Sequence, residues 1–159
     1  MQLDPSEDQI MMTDMFARFL DAESSIARVR QAIAAGGFDA ALWRGLGEQG
    51  ALSLRVPETA GGLGLGIFDA ALLMEQAGRC LASGPLAEAI VAARLLAVLD
   101  PDDLCGLRDA AASGECVLTL ALRDVATEPE QFVAGGAAAT AIIACDGNAV
   151  VLVRPGQQA

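Results

Sequence analysis

The spacing of apolar residues changes near residue 114, and this change indicates two kinds of secondary structure in one chain. Before it, apolar residues recur at helical spacing between capping residues, Gly and Pro. After it, short apolar runs flank turn residues, as in strands. We therefore predict a mainly α chain, with a helical domain over 1–114 and the first strands of an incomplete β domain over 115–159. So few strands do not close a sandwich or a barrel by themselves.

Caps and helix breakers mark the predicted helices. Ser6 and Gln9 have the spacing of a capping box, in which each side chain bonds the other residue's backbone N–H. Asp39 and Asp69 are each placed to cap the first turn of a helix. Pro85 suits a first helical position, where its missing N–H has no cost. The predicted helices start at Ser6, cover Ser24–Ala35, run from Asp39 to Gly50 and from Asp69 to about Leu81, cover Leu86–Leu99, and run from Asp100 and Pro101 to Ser113 and Gly114.

The first predicted helix carries an apolar face that includes two methionines. Core packing explains these methionines better than a soft ligand surface does. The residues of this face are Met11, Met15, Phe16, Phe19 and Leu20.

Trp43, the only tryptophan, lies on the apolar stripe of the third helix between Leu42 and Leu46. Phe38 precedes the cap at the spacing of a hydrophobic staple, so packing is favoured over ligand stacking for Trp43. Leu86–Leu99 is apolar nearly all round, which predicts a central, buried helix.

The glycine-rich segment 51–66 is predicted to be an irregular loop. Its glycines lack the GxGxxG spacing of dinucleotide-binding loops, and a Pro-containing loop precedes them where a hydrophobic strand should. Positive φ angles and close backbone approach explain them better. Glu58, beside the glycine pair at Gly61, is expected to be a solvated loop acid rather than a catalytic carboxylate. Glu75 and Arg79 have the order of a surface ion pair on one helix.

Three short apolar runs predict strands: Cys116–Leu122, Thr140–Cys145 and Ala149–Val153. The last two flank Asp146-Gly147-Asn148, a sequence typical of a hairpin turn. Unpaired strand edges in this part predict self-association or binding to a partner.

Charge and cysteine content exclude several classes of function. All ten basic residues are arginine and the formal charge is −11, so nucleic-acid binding and anionic membrane surfaces are disfavoured. The chain has no His and four widely spaced cysteines, which predicts no metal site. Three cysteines lie in apolar runs, where a buried structural role is favoured. Leu86–Leu99 is too short to span a bilayer, and no secretory signal is visible, so a cytoplasmic protein is expected.

The stretch from Trp43 to Gly64 resembles the signature of the N-terminal helical domain of the acyl-CoA dehydrogenases. These flavoenzymes remove the α and β hydrogens of an acyl thioester. The resemblance covers residues 1 to about 125, and it implies a helical domain followed by a middle β domain, with FAD as cofactor and acyl-CoA as substrate. It continues at Asp69, Glu75, Gly78, Arg79 and Pro85, where the family usually has an acidic helix start, a Glu, a Gly-Arg pair and a Pro.

The resemblance assigns no catalytic residue to this chain. In the family, the catalytic glutamate lies in a C-terminal four-helix domain, and 159 residues are less than half the family's usual length. We therefore predict that the chain alone has no dehydrogenase activity.

The expected flavin-binding loop departs from the family pattern. In the family, the first middle-domain strand runs into Leu-Thr-Glu-Pro and then Gly-Ser-Asp, whose amides and hydroxyls hold the flavin. Here Arg and Asp stand at the Thr and Glu positions, and Thr127-Glu128-Pro129 comes four residues late. By position, the cofactor-binding candidates are Leu120, Leu122, Arg123 and Asp124.

Two hypotheses follow from the resemblance. The favoured one is the N-terminal portion of a flavin-dependent acyl-CoA dehydrogenase, whose helical domain walls the acyl and flavin cavity. The alternative is a non-catalytic partner subunit or helical interaction module with a degenerate flavin site. The shortened region after Gln131 resembles the branch that acts on steroid or other bulky CoA esters. That branch includes heteromeric enzymes, so a homo- or hetero-oligomer is expected.

Overall fold

A computed structural model describes residues 4–99 and 104–156 of the chain. Its helices are followed by one small sheet, which confirms the predicted mainly α class with a start of β structure. A single 3₁₀ turn, Glu58–Ala60, lies in the loop between the third and fourth helices. The elements are α1 Glu7–Glu23, α2 Ile26–Ala34, α3 Ala40–Glu48, α4 Ile67–Arg79, α5 Leu86–Leu99, α6 Cys105–Ala112, β1 Leu118–Leu120, β2 Ala141–Asp146 and β3 Ala149–Val153.

The capping box at the start of α1 is confirmed. The Gln9 backbone N–H donates to Ser6 Oγ at 3.2 Å, and the Ser6 N–H donates to Gln9 Oε1 at 2.9 Å. The other end of the Gln9 amide donates from Nε2 to Asp69 Oδ1 at 2.8 Å, so the same side chain also joins α1 to α4. This bond fixes how the two helices meet.

Asp69 was predicted to be the N-cap of α4, but it is the third residue of the helix. Its Oδ2 accepts from the Gly66 N–H at 2.7 Å, which draws the helix start back to Gly66. The apolar residues Ile67 and Phe68 therefore form the first turn. Their exposure to solvent is the reason that the apolar pattern did not indicate a helix there.

The prediction that Met11 and Met15 pack in the core is wrong. α1 buries Phe16 and Leu20, while Met11 is 67% exposed and Met15 is 41% exposed. At 100° per residue, Met11 and Met15 lie about 140° and 100° around the helix from Phe16. The apolar residues of α1 thus lie on two sides of the helix, and only one of these sides packs against the core.

Asp39 caps α3 as predicted, accepting from the Ala41 and Leu42 N–H groups at 3.1 and 2.9 Å. Trp43 is 1% exposed, and its ring lies 5.8 Å from that of Phe38 between centroids, as the staple spacing predicted. Trp43 Nε1 also donates to the Cys116 carbonyl at 3.2 Å. That bond ties α3 to the segment that leads into β1.

α5 is the central helix, in contact with α4, α6 and β1. It separates two groups of buried residues, one among α1, α3, α4 and the loop that follows α3, the other between α5, α6 and the sheet. The prediction that α5 is buried on nearly all sides is wrong for one side of the helix, where Val91, Val98 and Leu99 are exposed. The predicted start of α6 at Asp100 and Pro101 lies outside the described residues.

The sheet has the order β1-β2-β3, with β1 parallel to β2 and β2 antiparallel to β3. The predicted hairpin is confirmed, with Asp146 paired to Ala149 across its turn. β1 is shorter than the predicted run Cys116–Leu122, because the chain leaves the sheet after the Ala121 N–H bonds the Ile143 carbonyl.

Burial was predicted for three of the four cysteines; the structure buries Cys80, half-buries Cys116 and exposes both Cys105 and Cys145, so the number predicted is too high. The two exposed cysteines lie at the start of α6 and near the turn end of β2.

Candidate functional site

The four candidate cofactor-binding residues lie where β1 ends and a loop begins. Leu120 is half-buried against the sheet core, whereas Leu122 is 77% exposed. Arg123 and Asp124 follow in the loop and are engaged by other residues of the chain. The assignment of these four residues to flavin binding remains a prediction.

Arg123 is held by side chains of its own loop. Its Nη1 lies 2.7 Å from Glu128 Oε1 in an exposed ion pair. The Gln131 side chain bonds the Arg123 backbone twice. Its Oε1 accepts from the Arg123 N–H at 3.1 Å, and its Nε2 donates to the Arg123 carbonyl at 3.0 Å. Both the charge and the backbone donor of Arg123 are therefore already paired.

Asp124 fastens the loop to the β2–β3 turn. Its carboxylate accepts from the Gly147 N–H at 3.0 and 3.1 Å and from the Ala126 N–H at 2.9 Å. These amide donors, that of Gly147 first, hold the pKa of Asp124 below its usual range because they stabilise the ionised form. Asp124 thus occupies the amides that would otherwise be open to an anion.

A concave surface of about 410 Å³ lies beside this loop. A flavin pyrophosphate needs free oriented donors and positive charge. Here the Arg123 charge is paired with Glu128, the amides of Arg123, Ala126 and Gly147 are bonded within the chain, and two glutamates add negative charge. As described, the arrangement does not fit the pyrophosphate of a flavin. The lining residues are Leu122, Arg123, Glu128, Glu130, Gln131 and Phe132.

A second concavity, of about 400 Å³, lies between the helices and the loop 134–138, and the sequence patterns did not point to it. Gly135 has φ +64°, and an added Cβ would meet the Pro85 ring at 2.5 Å, so the loop passes directly over the start of α5. The buried Thr119 hydroxyl donates to the Ala134 carbonyl at 2.8 Å and holds the loop to β1. In the sequence, the Gly135-Gly136 pair could have indicated that the backbone passes close to another element here. Among the residues that line this second concavity, Glu88 is the one with a carboxylate.

The loop after α3 is shaped by its glycines, as predicted. Gly61 and Gly64 have φ of 81° and 63°. An added Cβ at Gly62 would collide with the Val56 side chain and carbonyl, so backbone passes close there. Glu58 is exposed, in line with a solvated loop acid.

The predicted ion pair between Glu75 and Arg79 is wrong. Arg79 Nη2 lies 3.0 Å from Asp21 Oδ1, so it links α4 to α1. The hydrogen bond from Arg79, with a weaker one from Cys80, holds the pKa of Asp21 below its usual range. Arg79 thus pairs with Asp21 of the neighbouring helix α1 and not with Glu75 of its own helix.

Within residues 4–99 and 104–156, no group of three or more Cys, Asp or Glu side chains is placed to hold a metal ion. Over the same residues, every helix is too short or too polar to cross a bilayer.

The chain is similar to known proteins in both sequence and structure. Residues 6–99 match the family model described as acyl-CoA dehydrogenase, N-terminal domain. The chain is 34% identical over 149 residues to the acyl-CoA dehydrogenase IpdE2 of Mycobacterium tuberculosis, a match that covers 91% of this chain and 44% of IpdE2. IpdE2 of Mycolicibacterium smegmatis is 34% identical over 146 residues, again with 44% of that protein covered. The chain thus spans less than half the length of these curated relatives.

Among solved structures, a chain of the ChsE4–ChsE5 complex from Mycobacterium tuberculosis superposes with a TM-score of 0.80 at 27% identity. That match covers 98% of this chain and 49% of the other. The Tcur3481–Tcur3483 steroid ACAD G363A variant gives a TM-score of 0.77 at 23% identity, covering 94% and 48% of the two chains. At that identity the second likeness concerns the fold alone.

Proposed function

The chain belongs to the acyl-CoA dehydrogenase family, and we propose that it forms the N-terminal helical part and the first β strands of a flavin-dependent enzyme of that family. The observation that carries this proposal is the match to relatives of more than twice its length, combined with the same order of helices and strands in the superposed chain. The reaction would be the α,β-dehydrogenation of an acyl-CoA thioester, an oxidoreductase activity. The catalytic carboxylate would lie outside this chain.

The residues of this chain would then form one wall of the acyl and flavin cavity and the contacts that hold this wall in place. α5 forms the rigid centre, and the loop 134–138 is seated on Pro85 at its start. The hydrogen bond from Trp43 to Cys116 supports a fixed junction between the helical and β parts, whose boundary we place near residue 114. Such rigidity suits a cavity that excludes water during the removal of hydrogen from carbon.

We assign the substrate to the bulky, steroid-type acyl-CoA esters. This assignment rests on the shortened region after Gln131, which resembles that of the corresponding branch of the family. A panel of straight-chain and steroid side-chain CoA esters, with reduction of an artificial electron acceptor as the readout, tests both the activity and the substrate class.

The protein purified at its natural length, together with whatever co-purifies, is expected to turn over bulky esters faster than straight-chain ones. The isolated chain of 159 residues is expected to turn over none. Absence of turnover in the natural preparation with every ester would overturn the proposed activity, and turnover by the isolated chain would overturn the placement of the catalytic carboxylate elsewhere.

A second candidate function is a non-catalytic partner subunit that leaves flavin binding to another chain. The observation that favours it is the loop after β1, where the bonds of Arg123 and Asp124 leave few free donors for FAD. The structure that superposes on this chain is named as a complex of ChsE4 with ChsE5, which supports assembly of this chain with a second polypeptide. Co-expression with a larger homologue distinguishes the two candidates. A yellow complex from a colourless chain favours the partner subunit, and a yellow protein without a second polypeptide favours the first candidate.

A further inference from the structure

α2 buries little of its own surface against the other helices. Of its nine residues, Ala32 is the one that is buried in the described part of the chain. Residues 33–37, at the end of the helix and just after it, are all exposed. A helix of nine residues is marginal in water by itself. α2 therefore depends on a few contacts with its neighbours to stay folded.

The chain on either side of α2 is fastened to one short stretch, residues 80–83. Before the helix, Ser24 is buried, and its hydroxyl donates to the Cys80 carbonyl at 3.0 Å. After the helix, the Asp39 N–H donates to the Ser83 hydroxyl at 3.1 Å. The segment between these two anchors can therefore move without displacing α1 or α3.

Glycines provide a hinge at the C-terminal end of this segment. Gly36 and Gly37 have φ angles of +108° and +86°, and an added Cβ at either residue meets nothing within 4 Å. Glycine adopts this left-handed backbone without strain, and hinges are residues at the ends of elements that absorb large changes of φ and ψ. At the other end, Ser25 is the exposed N-cap of α2 and lies outside its helical backbone. Both ends of the segment can thus bend.

One side chain fastens the segment 25–37 to its surroundings. Within residues 4–99 and 104–156, every hydrogen bond from this segment to the rest of the chain comes from the side chain of Arg28. Its Nε and Nη2 donate to the two Asp39 carboxylate oxygens at 2.6 and 3.1 Å, and its Nη1 donates to Glu23 Oε2 at 2.5 Å. Such a bidentate pair fixes orientation as well as charge. Arg28 therefore holds α2 against the end of α1 and the start of α3.

The segment 25–37 borders two concavities. A third concavity, of about 290 Å³, lies between α2 and the start of α3, and Arg28 is one of its lining residues. Gly36 and Gly37 line the second concavity, together with part of the loop 134–138. A movement of the segment away from α3 would therefore widen both.

We infer that the segment 25–37 is a flap that opens and closes over these two concavities, with Arg28 as its latch. In the closed state the arginine pairs with Glu23 and Asp39. When these pairs break, α2 leaves its place and unwinds, while the other helices stay folded, as in local unfolding of other proteins. This inference does not depend on the enzymatic proposal, because it uses contacts within this chain alone.

Hydrogen exchange of the purified chain, read by mass spectrometry of its peptides, tests the proposal. In the wild type, the amides of α2 are expected to exchange faster than those of α4 and α5. Arg28→Gln should raise the α2 rates about tenfold, because α2 loses hydrogen bonds between charged groups, and should leave the α4 and α5 rates unchanged. Arg30→Gln is the matched control, since it makes the same change of charge on the same helix. Arg30 is exposed and forms no ion pair in the described part of the chain, so this variant should exchange like the wild type.

Salt and tryptophan quenching separate release of the flap from unfolding of the whole chain. Raising NaCl from about 0.05 to about 1 M should speed α2 exchange in the wild type and not in Arg28→Gln, because salt screens partly exposed ion pairs. Trp43 is 1% exposed and lies outside the flap, so acrylamide should quench its fluorescence equally in the wild type and in Arg28→Gln.

Three results would overturn the proposal. The first is exchange of α2 as slow as that of α5 in the wild type, which would show that α2 does not open by itself. The second is an equal effect of Arg28→Gln and Arg30→Gln on α2, which would show that Arg28 is not the latch. The third is stronger quenching of Trp43 in Arg28→Gln, since Arg28 would then support the whole fold and not the flap.

Discussion

At the residue scale, Gly47 and Gly78 show how position decides the effect of one added methyl group. Both lie within helices, α3 and α4. A Cβ at Gly47 would collide with the Ser113 carbonyl group, whereas a Cβ at Gly78 meets nothing within 4 Å. The first is a close approach of two backbones, and the second is open surface.

We expect Gly47→Ala to lower the free energy of unfolding by about 1–3 kcal/mol, because backbone atoms cannot yield as a flexible side chain does. Gly78→Ala should raise it by about 0.5–1 kcal/mol through the entropy of the unfolded chain. Urea unfolding followed by the fluorescence of Trp43 measures both. Equal effects of the two substitutions would contradict the described contact between α3 and Ser113.

Asp39 combines a helix cap with an ion pair. Arg28 Nε lies 2.6 Å from Asp39 Oδ2, and this bond, ahead of the Leu42 and Ala41 amides, holds the pKa of Asp39 below its usual range. Asp39→Ala should cost about 1–2 kcal/mol. Asp39→Asn should cost less, since Asn also caps helices and loses only the pairing with the partly exposed Arg28.

The stability of the wild-type chain should depend on pH through Asp39. Because the folded pKa lies below the unfolded value of about 3.9, the contribution is fully present above that value and is lost as the pH falls through the folded pKa. Acid titration of stability should therefore be steeper below about pH 4 for the wild type than for Asp39→Asn. Parallel curves would show that Asp39 is not coupled to Arg28.

At the residue scale, caps were predictable and burial was less so. Ser6, Gln9 and Asp39 act within their own helix turn, so spacing along the chain identifies their role. Met11 and Met15 share the apolar character of Phe16, but only tertiary packing decides which side of α1 is covered. The ion pair of Arg79 with Asp21 was missed for the same reason, since the two residues lie on different helices.

At the element scale, α1 and α4 are joined by the hydrogen bond from Gln9 to Asp69. A double-mutant cycle with Gln9→Ala and Asp69→Ala should give a coupling of about 0.5–1.5 kcal/mol, because the two side chains bond each other directly. Each single change also removes a cap interaction, so the coupling and not the single effect is informative. The pair Gln9→Ala and Gly78→Ala, which share no contact, should be additive and serves as the control. A coupling of zero for the first pair would contradict the described geometry.

Asp124 is expected to fasten the loop after β1 to the β2–β3 turn. Asp124→Ala removes the acceptor of the Gly147 and Ala126 amides, so both amides should exchange hydrogen faster. Glu130→Ala, in the same loop and exposed, should leave their exchange rates unchanged. Unchanged exchange in Asp124→Ala would mean that Asp124 is not the acceptor that protects these two amides, and it would contradict the described attachment of the loop to the β2–β3 turn.

Most element boundaries could be predicted because caps, Gly and Pro act locally. Two boundaries differ: α4 starts earlier than the pattern indicated, since Asp69 caps from inside the first turn, and β1 is shorter than the predicted run. The bonds of Asp124 to Gly147 join residues 23 apart, across a parallel strand pair, and no spacing rule encodes such a contact. The candidate site could therefore be located by position, but the pairing of its donors required the folded chain.

At the scale of the whole molecule, the helical part and the sheet share one continuous set of contacts through α5 and Trp43. β1 and β3 form the two edges of the sheet, and the outer faces of α4 and α5 expose Ile67 and Val91, so further polypeptide would find unpaired strand and apolar groups there. This arrangement agrees with a chain that covers less than half of its relatives. The change of apolar spacing near residue 114 indicated the order of structure, helices first and strands second.

The intact mass and the visible absorption spectrum of the natively expressed protein decide whether this chain is part of a flavin-dependent dehydrogenase. As the N-terminal part of a flavin-dependent dehydrogenase, the polypeptide should have a mass more than twice 16.3 kDa and carry a flavin absorption band. A polypeptide of 16.3 kDa without a flavin band would contradict that proposal.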